Sequence, residues 1–362
     1  MLSQFWYWKN DCLASLFLIK KYGLLILIVS VLSGCVSTHR LYLTQELMRE
    51  KQVIEDNKLG VDGLGGARVV ELTPDGRQLL VTSADDNALA IFNVDSDFKL
   101  TFNKVFINNS KIDGLNGATS LILSSDGRRA YVVSFYDSAL VIFEQDKQGI
   151  YQFIHAIRDG LPYEQVFSDK ESVKEKDKLG LLGAYDIAIT SDNSQLFIAS
   201  VASNAVSIFD MTENGNVLFN QLIRDSDNTV YGLAGAVNVT ITSNNSQVIV
   251  AGFNENAITI FNRDENGALE HSQTLINGKD GVKNMVSPQG LAMSPDDNYL
   301  YAACSGGNAI VVFAKNDQGK YLYMQSISNS DNNVTGLGVQ GMLQLLLMGS
   351  VYLWPQSQIM QS

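Results

Sequence analysis

The chain has 362 residues, 46% of them hydrophobic and 18% charged, with five prolines; this is the composition of an ordered globular protein and excludes a disordered or collagen-like one. Lys and Arg number 26 against 38 Asp and Glu, a formal net charge of −12. A surface of that sign repels phosphate backbones, so nucleic acid is excluded as the expected partner.

In chain order, the first feature is a leader. Lys20 and Lys21 precede an apolar run from Tyr22 to Leu32, the layout of an export signal. The run is too short to cross a bilayer core as a helix, which needs about 20 residues. It ends in Leu32-Ser33-Gly34-Cys35, which resembles the bacterial lipobox. That resemblance implies a lipoprotein signal peptide over residues 1–34 and a membrane anchor on a lipidated Cys35. It also implies the bacterial cell envelope, and with Val36 next, the outer membrane where one exists. Residues 35–60 read as a tether. With Cys12 in the leader and Cys35 acylated, Cys304 has no disulfide partner, and its strand-like surroundings mark it as a small buried thiol.

From residue 61 to 341 one unit repeats. A polar turn recurs at Thr73-Pro74-Asp75-Gly76, Ser124-Ser125-Asp126-Gly127, Thr190-Ser191-Asp192-Asn193, Thr242-Ser243-Asn244-Asn245 and Ser294-Pro295-Asp296-Asp297, at steps of 51, 66, 52 and 52. A second anchor follows each turn in constant register: Ala88 to Phe92, Ala139 to Phe143, Ala205 to Phe209, Ala257 to Phe261 and Ala309 to Phe313. The first unit reads as strands from the Gly66-Ala67 pair to Leu72, around Leu79 to Val81, over Ala88 to Phe92 and from about Leu100 to Ile107. Four strands per repeat of about 50 residues define an all-β fold, a β-propeller of four-stranded blades with five complete blades. The Phe series is expected to fill the space between blades. Gly and Asn in the turns supply positive φ. The second unit carries one insertion, Leu161 to Lys178, expected as a solvated loop.

Val334-Thr335-Gly336-Leu337 opens a sixth unit that stops after Gly341. Residues 342–362 lack both anchors and read as an aberrant, out-of-frame tail: shifted by one base under permitted codons, they can restore the missing repeat. The chain is therefore expected to be a fragment, truncated by a frameshift, of a six- to eight-bladed parent.

The repeated Gly-Leu-x-Gly-Ala, Ser/Thr-Pro-Asp-Gly and Asp-Asn-Ala-hydrophobic-x-Ile-Phe elements resemble the bacterial lactonase-like seven-bladed β-propeller family over residues 62 to 341. The resemblance implies the fold and raises lactone hydrolysis as an activity. That reaction needs a base for water and a donor for the oxyanion. His39 lies in the tether, and His155 and His271 on outer strands, so no histidine is expected at the axis; no zinc spacing, nucleophile elbow or phosphate loop is present. On the innermost strands Val70, Leu121, Ile187, Val239 and Leu291 keep a packing face, whereas the neighbouring positions vary. The candidate axial-channel residues are Arg68, Glu71, Thr119, Ser120, Tyr185, Asp186, Asn238 and Gln289. Asp225-Ser226-Asp227-Asn228 and Ser330-Asp331-Asn332-Asn333 offer oxygen ligands suited to calcium, although ordinary turns account for them better, and no cofactor or metal is assigned. The expected function is a lipid-anchored envelope propeller that binds an envelope protein or a small ligand without turnover. The alternative is a lactonase-like hydrolase acting at the axial channel.

Overall fold

Short β-branched and aromatic runs separated by Asp-Gly and Asn-Asn turns form antiparallel meanders, because each turn closes before the next run begins. The computed structural model describes residues 18–21, 24–27, 40–43, 52–160, 177–212, 215–226, 230–329, 331 and 337. The leader's Cys35, the insertion between 161 and 176 and the tail after 341 lie outside them. Two ribbons come first: β1 (Leu18–Lys21) pairs with β2 (Leu24–Leu27), and β3 (Arg40–Leu43) with β4 (Gln52–Glu55).

Five four-stranded antiparallel sheets follow, each in sequence order. Blade 1 is β5 (Ala67–Leu72), β6 (Gln78–Ser83), β7 (Ala88–Val94) and β8 (Leu100–Ile107). Blade 2 is β9 (Ala118–Leu123), β10 (Arg129–Ser134), β11 (Ala139–Gln145) and β12 (Tyr151–Arg158). Blade 3 is β13 (Ala184–Ile189), β14 (Gln195–Ser200), β15 (Ala205–Met211) and β16 (Val217–Arg224). Blade 4 is β17 (Ala236–Ile241), β18 (Gln247–Gly252), β19 (Ala257–Arg263) and β20 (Leu269–Ile276). Blade 5 is β21 (Pro288–Met293), β22 (Tyr299–Cys304), β23 (Ala309–Lys315) and β24 (Tyr321–Ser328). No described residue is helical, and no helix is long and apolar enough to cross a membrane.

The turn between first and second strands is built identically five times. Asp75, Asp126, Asp192, Asn244 and Asp296 each accept the backbone N–H two residues on. The last turn residue, Gly76, Gly127, Asn193, Asn245 or Asp297, takes the positive φ that closes the hairpin. Phe92, Phe143, Phe209, Phe261 and Phe313 are fully buried, each edge-on to an outer-strand ring: Phe102, Phe153, Phe219, His271 and Tyr323. A β-bulge ahead of each Phe tilts the outer strand against it. Burying one such ring contributes about 2–3 kcal/mol. His271 thus occupies an aromatic packing position.

The cores lie between blades, not within them. Leu80, Leu89 and Phe106 of blade 1 pack on Leu121, Val132 and Phe143 of blade 2, and the pattern repeats to blade 5. Two polar clips recur at these seams. The residue ending each outer strand accepts an N–H from the opening of the next blade: Leu115 to Asn108, Leu181 to Asp159, Leu233 to Asp225, Met285 to Asn277 and Leu337 to Asn329. Further out, Gln221 and Gln273 bond both backbone groups of Leu269 and Tyr321 on the following blade's outer strand. Ahead of blade 1, at residues expected from sequence to be tether, Gln52 makes the same double bond to Leu100 and Asp56 accepts from Leu64 N.

Inner strands β5, β9, β13, β17 and β21 stand side by side in that order, and no comparable contact among the described residues joins β21 to β5. The described blades form an open arc, as in a fragmentary propeller. The expected packing at the first strand holds for Leu121, Ile187, Val239 and Leu291, which are buried, but Val70 is half-buried and Leu72 is 48% exposed, because among the described residues no four-stranded sheet stands ahead of blade 1.

Candidate functional site

Each inner strand has one irregularity near its start, where an extra residue interrupts pairing with the second strand. The bulge falls at Arg68–Val69, Thr119, Tyr185, Val237 and Gln289. It places consecutive variable side chains where the strands converge on the axis.

Four of the sequence-predicted residues come together there. Asp186 on β13 accepts Ser120 Oγ at 2.7 Å, Asn238 Nδ2 at 2.7 Å and Val239 N at 3.0 Å. Asn238 Oδ1 in turn accepts Leu291 N at 3.0 Å. Thr119 Oγ1 lies 3.1 Å from Ala184 O and 3.2 Å from Val133 O, donating one proton between them. A continuous polar chain therefore crosses the axial ends of blades 2 to 5. Thr119, Ser120, Asp186 and Asn238 are all buried. Burial pushes the Asp186 carboxyl up to about 6, against its hydrogen-bond donors, which pull it down.

Arg68, Glu71, Tyr185 and Gln289 are only half-buried. Tyr185 stands edge-on to Phe135 at 6.2 Å, and Phe135 edge-on to Tyr136 at 5.3 Å, giving an aromatic wall on the blade 2 and 3 side. Tyr136 is 45% exposed. Gly117 and Gly183 lie under these rings, where a Cβ would strike Tyr136 Cδ2 in the first case and press on Phe135 Cε2 and Ala202 N in the second.

Two histidines lie where the sequence put them, His155 on β12 and His271 on β20, both outer strands, and His39 lies outside the described residues. Cys304 is buried, and desolvation raises its thiol to about 12, so it is a core residue.

At the loop end of blade 1 the structure gathers Asp56, Asp62 and Asp86, whose carboxylate oxygens lie within 4.8 Å of one another and could coordinate a divalent ion. Burial and the neighbouring Asp56, Asp62 and Asp85 charges raise the Asp86 carboxyl. In blade 2 the equivalent pair, Asp113 and Asp137, is bridged by Arg158; blade 1 has Ile107 in the arginine's place. Sequence reading missed this cluster because its members are far apart in the chain, although aligning the strand-end acceptors would have shown Asp56 in series with Asn108. In the Asp/Asn loops weighed for calcium and read as ordinary turns, Asp225 holds Gly232 N and Leu233 N, and Asp331 accepts Ser328 N. Their other members, at 227, 228, 330, 332 and 333, lie outside the described residues.

Asp159 precedes the insertion in blade 2, and Asp177 lies near its end, buried and not solvated as expected for that loop. Asp159 accepts Lys178, Leu179 and Leu181 N–H groups, and Asp177 pairs with Arg224. Burial, with the adjacent Asp177, pushes Asp159 up to about 6.

Sheets in sequence order around an axis, with variable polar residues on the innermost strands, define a β-propeller with a candidate axial site. The model of the seven-bladed β-propeller lactonase family matches residues 17–283 and 255–334, and the chain belongs to that family. Among solved structures, the periplasmic gluconolactonase of Pseudomonas aeruginosa is 17% identical, with a TM-score of 0.60 over 82% of this chain and 78% of that one. A protein from Lactobacillus plantarum is 11% identical, with a TM-score of 0.64 over 87% and 83%. At these identities the likeness is one of fold.

Proposed function

We propose that this protein hydrolyses a lactone at the axial end of its inner strands. Family membership, joined to the half-buried polar residues Arg68, Glu71, Tyr185 and Gln289 on the inner strands, supports hydrolysis over the simple binding expected from sequence. Water adds to the lactone carbonyl, the tetrahedral oxyanion collapses, the ring C–O bond breaks and the alkoxide takes a proton, leaving a hydroxy acid. A carboxylate that relieves water of its proton and a cation or phenol facing the oxyanion are what the reaction requires. In this proposal Glu71 is the base, and Arg68 and Tyr185 face the developing charge. Asp186 and Asn238 act as positioning residues that hold β13, β17 and β21 together. The substrate is a small sugar-type lactone, whose C–H face suits the Phe135–Tyr136–Tyr185 wall.

The test is a panel of sugar and aliphatic lactones followed by acid release at constant pH. Glu71→Gln and Arg68→Met should each lower kcat/KM by about 10²–10⁴-fold. Tight retention of an intact lactone with no acid release would return the chain to the binding reading.

The envelope location belongs to the same proposal. It is supported by the export-type leader and Cys35, and by the periplasmic location named for the similar Pseudomonas aeruginosa protein. Metabolic labelling with an alkynyl fatty acid should mark the wild type and leave Cys35→Ser unmarked. Equal labelling of both would remove the lipid anchor.

A further inference from the structure

The passage from blade 2 into blade 3 holds two buried carboxyls and one cation. Asp159 is 7% and Asp177 3% exposed, and a hydrogen bond joins their side chains. The Asp159 oxygens also accept the N–H groups of Lys178, Leu179 and Leu181. Asp177 accepts Ser203 Oγ at 3.1 Å and pairs with Arg224 Nη2 on β16 at 2.8 Å. Among the described residues Arg224 is the one cation paired with either carboxyl. Arg158, next to Asp159 in the chain, is turned to Asp113 and Asp137, and Lys178 is exposed. From the β10–β11 turn, Ser138 meets the pair with its carbonyl, which accepts Asp159 N.

Two ionised carboxylates are both acceptors, so the bond between them requires a proton on one. Charge points the same way. Two buried acids against one guanidinium leave one negative charge without a partner, and burial favours the neutral form. Burial foremost, with Asp177 beside it and against the backbone donors, raises Asp159 to about 6. In three other seams the same acceptor is a neutral asparagine: Asn108, Asn277 or Asn329. The backbone at this place therefore needs an acceptor and not a charge.

We propose that Asp159 and Asp177 form a proton-operated clasp between the start and the end of the blade 2 insertion, closed while they share one proton and loosened when it leaves. With both groups ionised, like charges face each other in a buried site with a single guanidinium to offset them. Asp177 stays tied to Arg224, so the hold that weakens is that of Asp159 on Lys178, Leu179 and Leu181. Those residues lead into β13, which carries Tyr185 and Asp186. Resting on the hydrolytic reading, the clasp would tie the entry of that strand to pH; the clasp itself stands without that reading.

The test is amide exchange of the full chain from about pH 5 to about pH 8, read on peptic fragments and corrected for the intrinsic rate at each pH. Fragments covering 178–182 should lose protection by at least about tenfold as pH rises, in a transition centred on about 6. Fragments holding Leu115 and Met285, whose acceptors are asparagines, should not change. Asp159→Asn should keep the protection of the acid form throughout, its amide standing in for the shared proton. Asp177→Asn, which removes the second carboxyl, should move the transition to lower pH. If that variant does not fold, the wild type and Asp159→Asn decide. A wild type without the transition, an equal loss at Leu115 and Met285, or an unchanged transition in Asp159→Asn overturns the clasp. An unchanged midpoint in Asp177→Asn overturns the sharing of the proton. Lactone hydrolysis enters none of these readings, so the clasp and the proposed activity fail separately.

Discussion

Asp186 is the residue on which the axial end turns. Its three donors come from two neighbouring blades, so Asp186→Ala would leave Ser120, Asn238 and Val239 N buried and unpaired. We expect a loss of about 2–4 kcal/mol, read from urea midpoints. Asp186→Asn can keep most of the arrangement, with its oxygen toward Val239 N and its amide toward Ser120 Oγ. The two variants should also differ from wild type in pH dependence. A carboxyl raised to about 6 in the fold holds its proton longer than in the unfolded chain, where it titrates near 4. Its contribution is therefore fully present below about pH 4 and declines as pH rises to about 6. Asp159 shifts the same way and adds to the same slope. Asp186→Asn should flatten the fall in stability between about pH 4 and 6; an unchanged slope would assign it all to Asp159.

Strands were legible because their punctuation is local. The expected first and fourth strands of blade 1, Gly66-Ala67 to Leu72 and about Leu100 to Ile107, match β5 and β8 to within a residue, since Thr73-Pro74-Asp75-Gly76 and the Asn108 clip bound them chemically. The third strand runs on to Val94, two residues past Phe92, because the bulge at Ile91/Phe92 lets pairing continue. The site was half legible. Variation beside a constant packing position found Ser120, Asp186 and Asn238, but nothing local distinguishes a buried link from a ligand-facing group; that depends on which blade stands opposite. β4 was hidden for the same reason, since four residues among charged neighbours signal nothing until Leu100 is placed against Gln52. The glutamine clip makes an element-scale prediction. Gln273→Ala should cost about 1–2 kcal/mol through two lost bonds, and Gln221→Ala a similar amount, nearly additively because the seams are separate. Strong non-additivity in urea midpoints would mean that neighbouring blades unfold as one unit.

At the scale of the molecule, each blade packs only on its neighbours, so stability should be distributed as in a linear array. Among the described residues, blades 1 and 5 each pack on a full four-stranded neighbour on one face only, and Leu72 and Ile327 are the exposed signs of it. Amide exchange should be slowest in β14 and β18 and faster in blades 1 and 5; uniform protection would indicate a single cooperative unit. The axial chain of Ser120, Asp186, Asn238 and Leu291 adds an asymmetry to this gradient. It links blades 2 to 5, whereas blade 1 has the apolar Val69 at the same place. Under tension between the two ends of the arc, the seam between blades 1 and 2 is therefore where the molecule should tear, leaving a four-blade remnant still laced along its axis.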